Sequence, residues 1–322
     1  FSTALVRGLA EAVGRTLRPG DEVIVSRCDH EANVGPWMRL AERGVVIKPW
    51  RVDPDALELR AEDLDRLLTD RTRLVAFTHA SNVIGTIHPV AELTRLAHAA
   101  GARVCVDGVA FAPHGEVDVQ ALGADYYVFS LYKVYGPHQA VLVGEHEALR
   151  ALPGLNHFFI GEDQVPYKLQ PGGVSYELAW GSAGIVDYFE DLGRRADPAL
   201  AGRGALQRAY EEIAAHEAVL QERLLSFLRD RRGVRIIGRR DGDRTRRVPT
   251  VSFVSAQRAP EEIVRAIDPH RIGIRHGDFY ARRLAEDLGL ATRGGVVRVS
   301  MVHYNTLEEI DRLILHLDAA LG

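Results

Sequence analysis

From residue 22 to residue 143 the chain repeats one pattern, a short β-rich apolar run, a polar loop and an amphipathic helix. The runs are Glu22-Val23-Ile24-Val25-Ser26, Val45-Val46-Ile47-Lys48, Leu74-Val75-Ala76-Phe77-Thr78, Ala102-Arg103-Val104-Cys105-Val106-Asp107, 126–129 and 140–143. Helical spacing fits between them near 37–42, 61–69 and 89–100. Ahead of them, 4–17 carries apolar Leu5, Leu9, Val13 and Leu17 and stops at Arg18-Pro19-Gly20-Asp21. Nearly continuous apolar strands joined by helices predict an α/β fold with a mostly parallel sheet covered on both faces. In such sheets ligands sit beyond the carboxyl ends of the strands, which selects the polar loops beginning at Cys28, His79 and Asp107.

After Tyr188 the texture changes. A long charged helical region, 199–230, precedes short strands at 234–237 and 248–254, a helix near 260–267, Gly273-Ile274-Arg275, a strand over 294–300 and a final helix near 306–320. Two domains are expected, a large one over 1–188 and a smaller C-terminal α+β domain over 189–322. At 322 residues and 46% hydrophobic the chain can bury a sizeable core, and its net charge of -4, from 40 basic and 44 acidic residues, points to neither nucleic acid nor a membrane as main partner. The basic segment 239–247 is broken by acids and Gly and reads as a solvated loop. With only Cys28 and Cys105, neither a disulfide framework nor a cysteine-based metal site is expected, and a reducing cytoplasm fits best. No apolar run approaches the roughly 18 residues of a membrane span. Phe1-Ser2-Thr3-Ala4 lacks an initiator Met and runs straight into a helix, so a segment upstream is expected.

Two side chains stand out against this frame. Lys133 follows the apolar run 126–129 in Ser130-Leu131-Tyr132-Lys133-Val134-Tyr135-Gly136-Pro137, and Asp107 closes the run before it. An amine and a carboxylate at neighbouring strand ends are what pyridoxal 5'-phosphate (PLP) chemistry needs: the amine forms a Schiff base, and the carboxylate keeps the ring nitrogen protonated so that the ring draws electrons. Neither residue alone carries that reading.

The order of motifs resembles the class V (fold-type I) PLP-dependent aminotransferase superfamily, in particular its cysteine desulfurase-like group, over essentially the whole chain. The motifs are Asp29-His30-Glu31-Ala32-Asn33 with Pro36-Trp37, 78–86 (Thr78 to Thr86), Val106-Asp107-Gly108, 117–125 and 130–137. The resemblance implies His30 stacked on the pyridine ring, Asn82 near the phenolic oxygen, and phosphate held by Ser130, Tyr132, Ser2 and Thr3. The last two stand ahead of a helix expected near Ala4, where a helix N-terminus suits a phosphate dianion. It also implies a homodimer and a small amino-acid substrate whose carboxylate is gripped by Arg298 and Arg275, since a guanidinium holds a carboxylate through two parallel hydrogen bonds.

Several positions depart from the family pattern. Tyr280, in Arg275-His276-Gly277-Asp278-Phe279-Tyr280, stands where desulfurases present their persulfide-forming cysteine. Ala110 replaces a glutamine, Tyr132 a histidine, and Gly173 a threonine for which Ser175 is the nearby hydroxyl. Both cysteines read as packed thiols. The expected function is a cysteine desulfurase-like lyase or aminotransferase without a protein persulfide, in which Lys133 moves the Cα proton and Asp107 stabilises the carbanion. An amino-acid epimerase of the same fold and a catalytically inactive scaffold are the alternatives.

Overall fold

A computed structural model describes residues 1–170 and 172–322; Pro171, which opens the segment containing Gly173 and Ser175, lies outside the described residues. Six strands form the main sheet: β1 (Glu22–Ser26), β2 (Val46–Trp50), β3 (Thr72–Thr78), β4 (Arg103–Asp107), β5 (Tyr126–Ser130) and β6 (Ala140–Gly144). Their spatial order is β2-β1-β3-β4-β5-β6. The first five run parallel, and β6 returns antiparallel to β5. Helices Ser2–Gly14, Val90–Ala99 and their neighbours cover the two faces, so Val23 and Val25 pack into one apolar layer while Ile24, Val75 and Phe77 pack into the other. This is the α/β architecture expected of continuous apolar strands.

The first helix begins at Ser2, ahead of the expected Ala4, and ends at Gly14. Position 188, where the sequence texture changes, falls inside the helix Ala183–Ala196. Next comes the 29-residue helix Gly202–Asp230. Ala209 and Ile213 in its first half pack with Ala112, Val134 and Phe189, whereas Leu220, Leu224, Leu225 and Leu228 in its second half enter the core of the C-terminal sheet. That sheet comprises β7 (Val234–Ile237), β8 (Thr250–Ser255), β9 (Arg275–Gly277) and β10 (Val296–Ser300), all antiparallel in the order β7-β8-β10-β9. Helices Pro260–Ile267 and Leu307–Leu321 complete its hydrophobic core. Thr306 caps the last helix in a reciprocal capping box with Glu309.

One sequence expectation fails here. The segment 239–247 is largely solvated, but Arg247 is buried, because its guanidinium donates to the carbonyls of Arg239 and Thr250. A charge run cannot reveal which of its members finds backbone acceptors in the interior.

Candidate active site

Lys133 lies in the connection between β5 and β6. The amide of Leu131 donates to the carbonyl of Gln139 (2.8 Å), and the amides of Val134 and Gly136 donate back to the carbonyl of Leu131 (2.9 Å each), which knots the turn. Gly136 packs close to Ile185, whose side chain would have to shift to admit a Cβ, 2.3 Å away. Lys133 and Asp107 line the same pocket. Although Lys133 is solvent-accessible by area, the groups around its head lower its pKa; burial is the main cause, Arg298 adds to it and Asp107 opposes it.

Asp107 ends β4 and is 5% exposed. Gly108, next in the chain, allows the turn to pass under Tyr127, whose ring would lie 2.2 Å from any Cβ. Asp107 Oδ1 accepts from the amide of Val109 at 2.8 Å, and its other carboxylate oxygen has no protein donor among the described residues. Burial raises its pKa to about 6, against the Val109 amide and the Lys133 charge. A buried carboxylate in this state calls for a cationic donor opposite it.

Beneath it lies Asp29, 2% exposed, a residue that sequence reasoning placed in the His30 loop without a role. Its Oδ2 accepts from Ser26 Oγ (2.6 Å) and Asn33 Nδ2 (3.2 Å). Burial first, and then the charge of Asp107, push its pKa up to about 8, so at neutral pH it keeps its proton while Asp107 is ionised. No sequence signal separates this acid from any other loop aspartate; its depth in the sheet creates the shift.

His30 caps the short turn Glu31–Asn33, its Nδ1 accepting from the Ala32 amide at 3.1 Å, which leaves the proton of the neutral ring on Nε2. Burial, aided by the charges of Lys133 and Arg298, lowers its pKa to about 4. Ser130 is fully buried and donates to Ser2 Oγ at 3.1 Å. Neither Ser2 nor Thr3 caps the first helix; the amides of Ala4 and Leu5 bond the Phe1 carbonyl, and among the described residues those of Ser2 and Thr3 have no acceptor. Ser2, Thr3, His30, Asn82, Asp107, Tyr132 and Lys133 line one pocket. Tyr132 stacks on His138 at 5.2 Å.

The small sheet meets the pocket at Asn82. Arg298, on β10, donates to the Asn82 carbonyl at 2.9 Å and lies over the Phe279 ring at 3.8 Å, with burial lowering its pKa to about 10. Asn82 Nδ2 donates to the Phe279 carbonyl (2.8 Å), and the Glu31 amide donates to the Tyr280 carbonyl (2.7 Å). These bonds hold Phe279 and Tyr280 at φ of 52° and 62°, a left-handed pair that is costly for aromatic residues. Tyr280 thereby sits 5.0 Å from the His30 ring, centroid to centroid. Arg275 pairs in register with Arg298, yet its guanidinium turns to the Ile274 carbonyl and Asp268, outside the pocket. Register alone did not predict that turn at a strand end. Cys28 and Cys105 are both fully buried, and burial raises both thiols.

These residues fit PLP. Asp107 lines the pocket with one carboxylate oxygen that has no protein donor among the described residues, Asn82 Oδ1 is buried without a partner among the described residues, and the hydroxyls of Ser2 and Ser130 meet at a helix N-terminus. Among the described residues no cluster of His, Cys, Asp and Glu could hold a metal ion.

Comparison with known proteins places these features in context. The model of the aminotransferase class-V family matches residues 2–168 and 205–313. The aminotransferase-like protein FGM3 of Gibberella zeae is 40% identical over 324 residues, spanning 99% of this chain and 77% of its own. The cysteine desulfurase-like protein ustD of Aspergillus flavus is 35% identical over 328 residues, spanning 98% and 71%. A cysteine desulfurase of Dickeya dadantii is 33% identical over 334 residues, spanning 97% and 75%. The crystal structure of the cysteine desulfurase CsdA from Escherichia coli superposes with a TM-score of 0.84 at 28% identity, covering 99% of this chain and 77% of that one.

Proposed function

Because this chain belongs to the class V aminotransferase family, in its cysteine desulfurase-like group, and PLP is its cofactor, we propose that it is a lyase or aminotransferase that takes the Cα proton of a small amino acid without forming a protein persulfide. The observation that carries this reading is Tyr280. It occupies the loop between β9 and β10 beside His30, while both thiols lie sealed in the interior with raised pKa values. A phenol cannot accept a sulfur atom in the manner of a thiolate.

Bound PLP supplies a ring that draws electrons away from the substrate Cα. Lys133 would carry the cofactor and, once released, its lowered pKa would leave it free to accept the Cα proton. Asp107, ionised at neutral pH, would hold the proton on the ring nitrogen, and Asp29 beneath it stays neutral and so does not compete for that proton. His30, neutral above about pH 4, would present its ring face to the cofactor. Ser130, Ser2, Thr3 and Tyr132 would hold the phosphate, with Asn82 near the phenolic oxygen. Arg298 would hold the substrate carboxylate by exchanging its bond to the Asn82 carbonyl. Arg275 would need to swing inward to assist.

Phe158, Phe159, Tyr176 and Trp180 are exposed, a cost that a homodimer would remove, and light scattering of the purified protein checks that assembly. The two unpaired cysteines support a cytoplasmic setting, and no helix among the described residues is long and apolar enough to cross a membrane. The function is tested by incubating the protein with PLP and a panel of amino acids while following pyridoxamine phosphate, sulfide with pyruvate, and optical rotation. Either of the first two products supports the proposal. Loss of optical activity alone, or protein-bound persulfide after incubation with cysteine, refutes it, and a Lys133→Ala protein with an unchanged visible spectrum would point to a scaffold.

A further inference from the structure

Behind the cofactor pocket lies a second cavity of about 530 Å³, walled by the large domain, the long helix and the segment leading into β8. Its apolar surface comes from Phe111, Ile87, Val248 and Pro249. Its polar groups are unevenly matched. Glu116 is paired with Arg203 (2.9 Å), Glu211 with Arg208 (3.1 Å) and Glu217 with His114 (2.9 Å). The two arginines of the cavity, Arg244 and Arg247, have no carboxylate partner among the described residues. Asp241 and Glu222, whose charges reach Arg247, are engaged by Arg239 and Arg229.

Arg247 is 1% exposed and its Nε has no hydrogen-bond partner among the described residues; Gln221, also 1% exposed, has an Oε1 in the same condition. Both residues line the cavity, and a buried guanidinium donor and a buried amide acceptor without partners beside it are costly unless a ligand entering there draws them out to meet it. We propose that this cavity binds a small organic carboxylate, its anionic end at Arg247 and Arg244, its apolar body against Phe111, and a hydroxyl or amine donating to Gln221. The apolar walls and the volume favour an organic acid over an inorganic anion.

The site adjoins the cofactor pocket through one wall. Phe111 stacks on His79 at 3.6 Å and follows Ala110, which lines the cofactor pocket, and the His79 amide donates to the Asp107 carbonyl at 2.8 Å. A ligand pressed on Phe111 therefore bears on the backbone that carries Asp107.

The test is calorimetric titration of the PLP-loaded protein with 4-hydroxybenzoate, benzoate and inorganic phosphate. The cavity predicts that 4-hydroxybenzoate binds, that benzoate, lacking the donor, binds more weakly, and that phosphate does not compete. Ala218→Phe, which fills the cavity from the long helix, and Arg244→Ala should each weaken binding about tenfold or more. Arg298→Ala should leave it unchanged, which separates this site from the substrate's. Arg247→Gln should abolish binding if the variant folds; the surface change at Arg244 and the filling change at Ala218 decide the matter if it does not. Absence of binding at millimolar ligand, or binding lost in Arg298→Ala and kept in Ala218→Phe, overturns the proposal.

Discussion

Asp29 is the position where a single atom change should alter stability in a pH-dependent way. Its carboxyl is raised from the ordinary 3.8 to about 8 by burial and by Asp107, whereas in the unfolded chain it ionises near the ordinary value. Between those two values the native state holds a proton that the unfolded state has released, so stability falls as pH rises, by about 1.4 kcal/mol per unit. At pH 7 the accumulated penalty is about 4 kcal/mol. Asp29→Asn keeps an oxygen to accept from Ser26 and Asn33 and a donor in place of the acid proton, but carries no titration. Urea unfolding of the PLP-free protein and this variant, run from pH 4 to pH 9, should give curves that nearly coincide at pH 4. They should separate to about 4 kcal/mol in favour of the variant at pH 7 and level off above pH 8. A difference independent of pH would falsify the assignment of a buried neutral acid at this position.

Lys133→Ala should abolish the borohydride-sensitive visible band of the loaded protein and lower kcat by roughly 10²–10⁴-fold. Arg298→Ala should raise KM roughly 10–100-fold, with a smaller change in kcat, when initial rates are compared over substrate concentration. Activity should rise with pH to a plateau reached below the ordinary lysine value of 10.5, because Lys133 is shifted down, and His30, already neutral above about pH 4, should add no step near pH 6.5. Gly193→Ala places a methyl 1.8 Å from the Ala205 carbonyl where two helices cross, and should cost about 1–3 kcal/mol in denaturant unfolding with no change in the PLP spectrum.

The sheet was legible because its strands are apolar on both faces, and strand ends then located Lys133, Asp107 and the His30 and Asn82 loops. Local patterning does not encode the direction of a strand, so the antiparallel return of β6 rests on the tight connection around Lys133. The large shift at Asp29 comes from depth, which a loop sequence does not display. Arg275 and Arg298 stand opposite each other on paired strands, yet only Arg298 lies over Phe279 and meets Asn82 across the domain junction, the latter a contact between residues more than 200 positions apart. A separate bridge between Thr86 and Arg247 joins distant segments beside the second cavity. Residue 188, after which the composition changes, lies inside the helix Ala183–Ala196, because helical periodicity continues across a change in composition.

The helix Gly202–Asp230 is about 43 Å long at 1.5 Å per residue, and its two halves are rooted in different cores. It works as a shared axle. Neither core can be excised with its full apolar surface covered, so fragments cut within this helix should be insoluble when made separately. Heat or denaturant should melt both bodies in one transition, and any opening between them requires the axle to bend or one half to let go of its core.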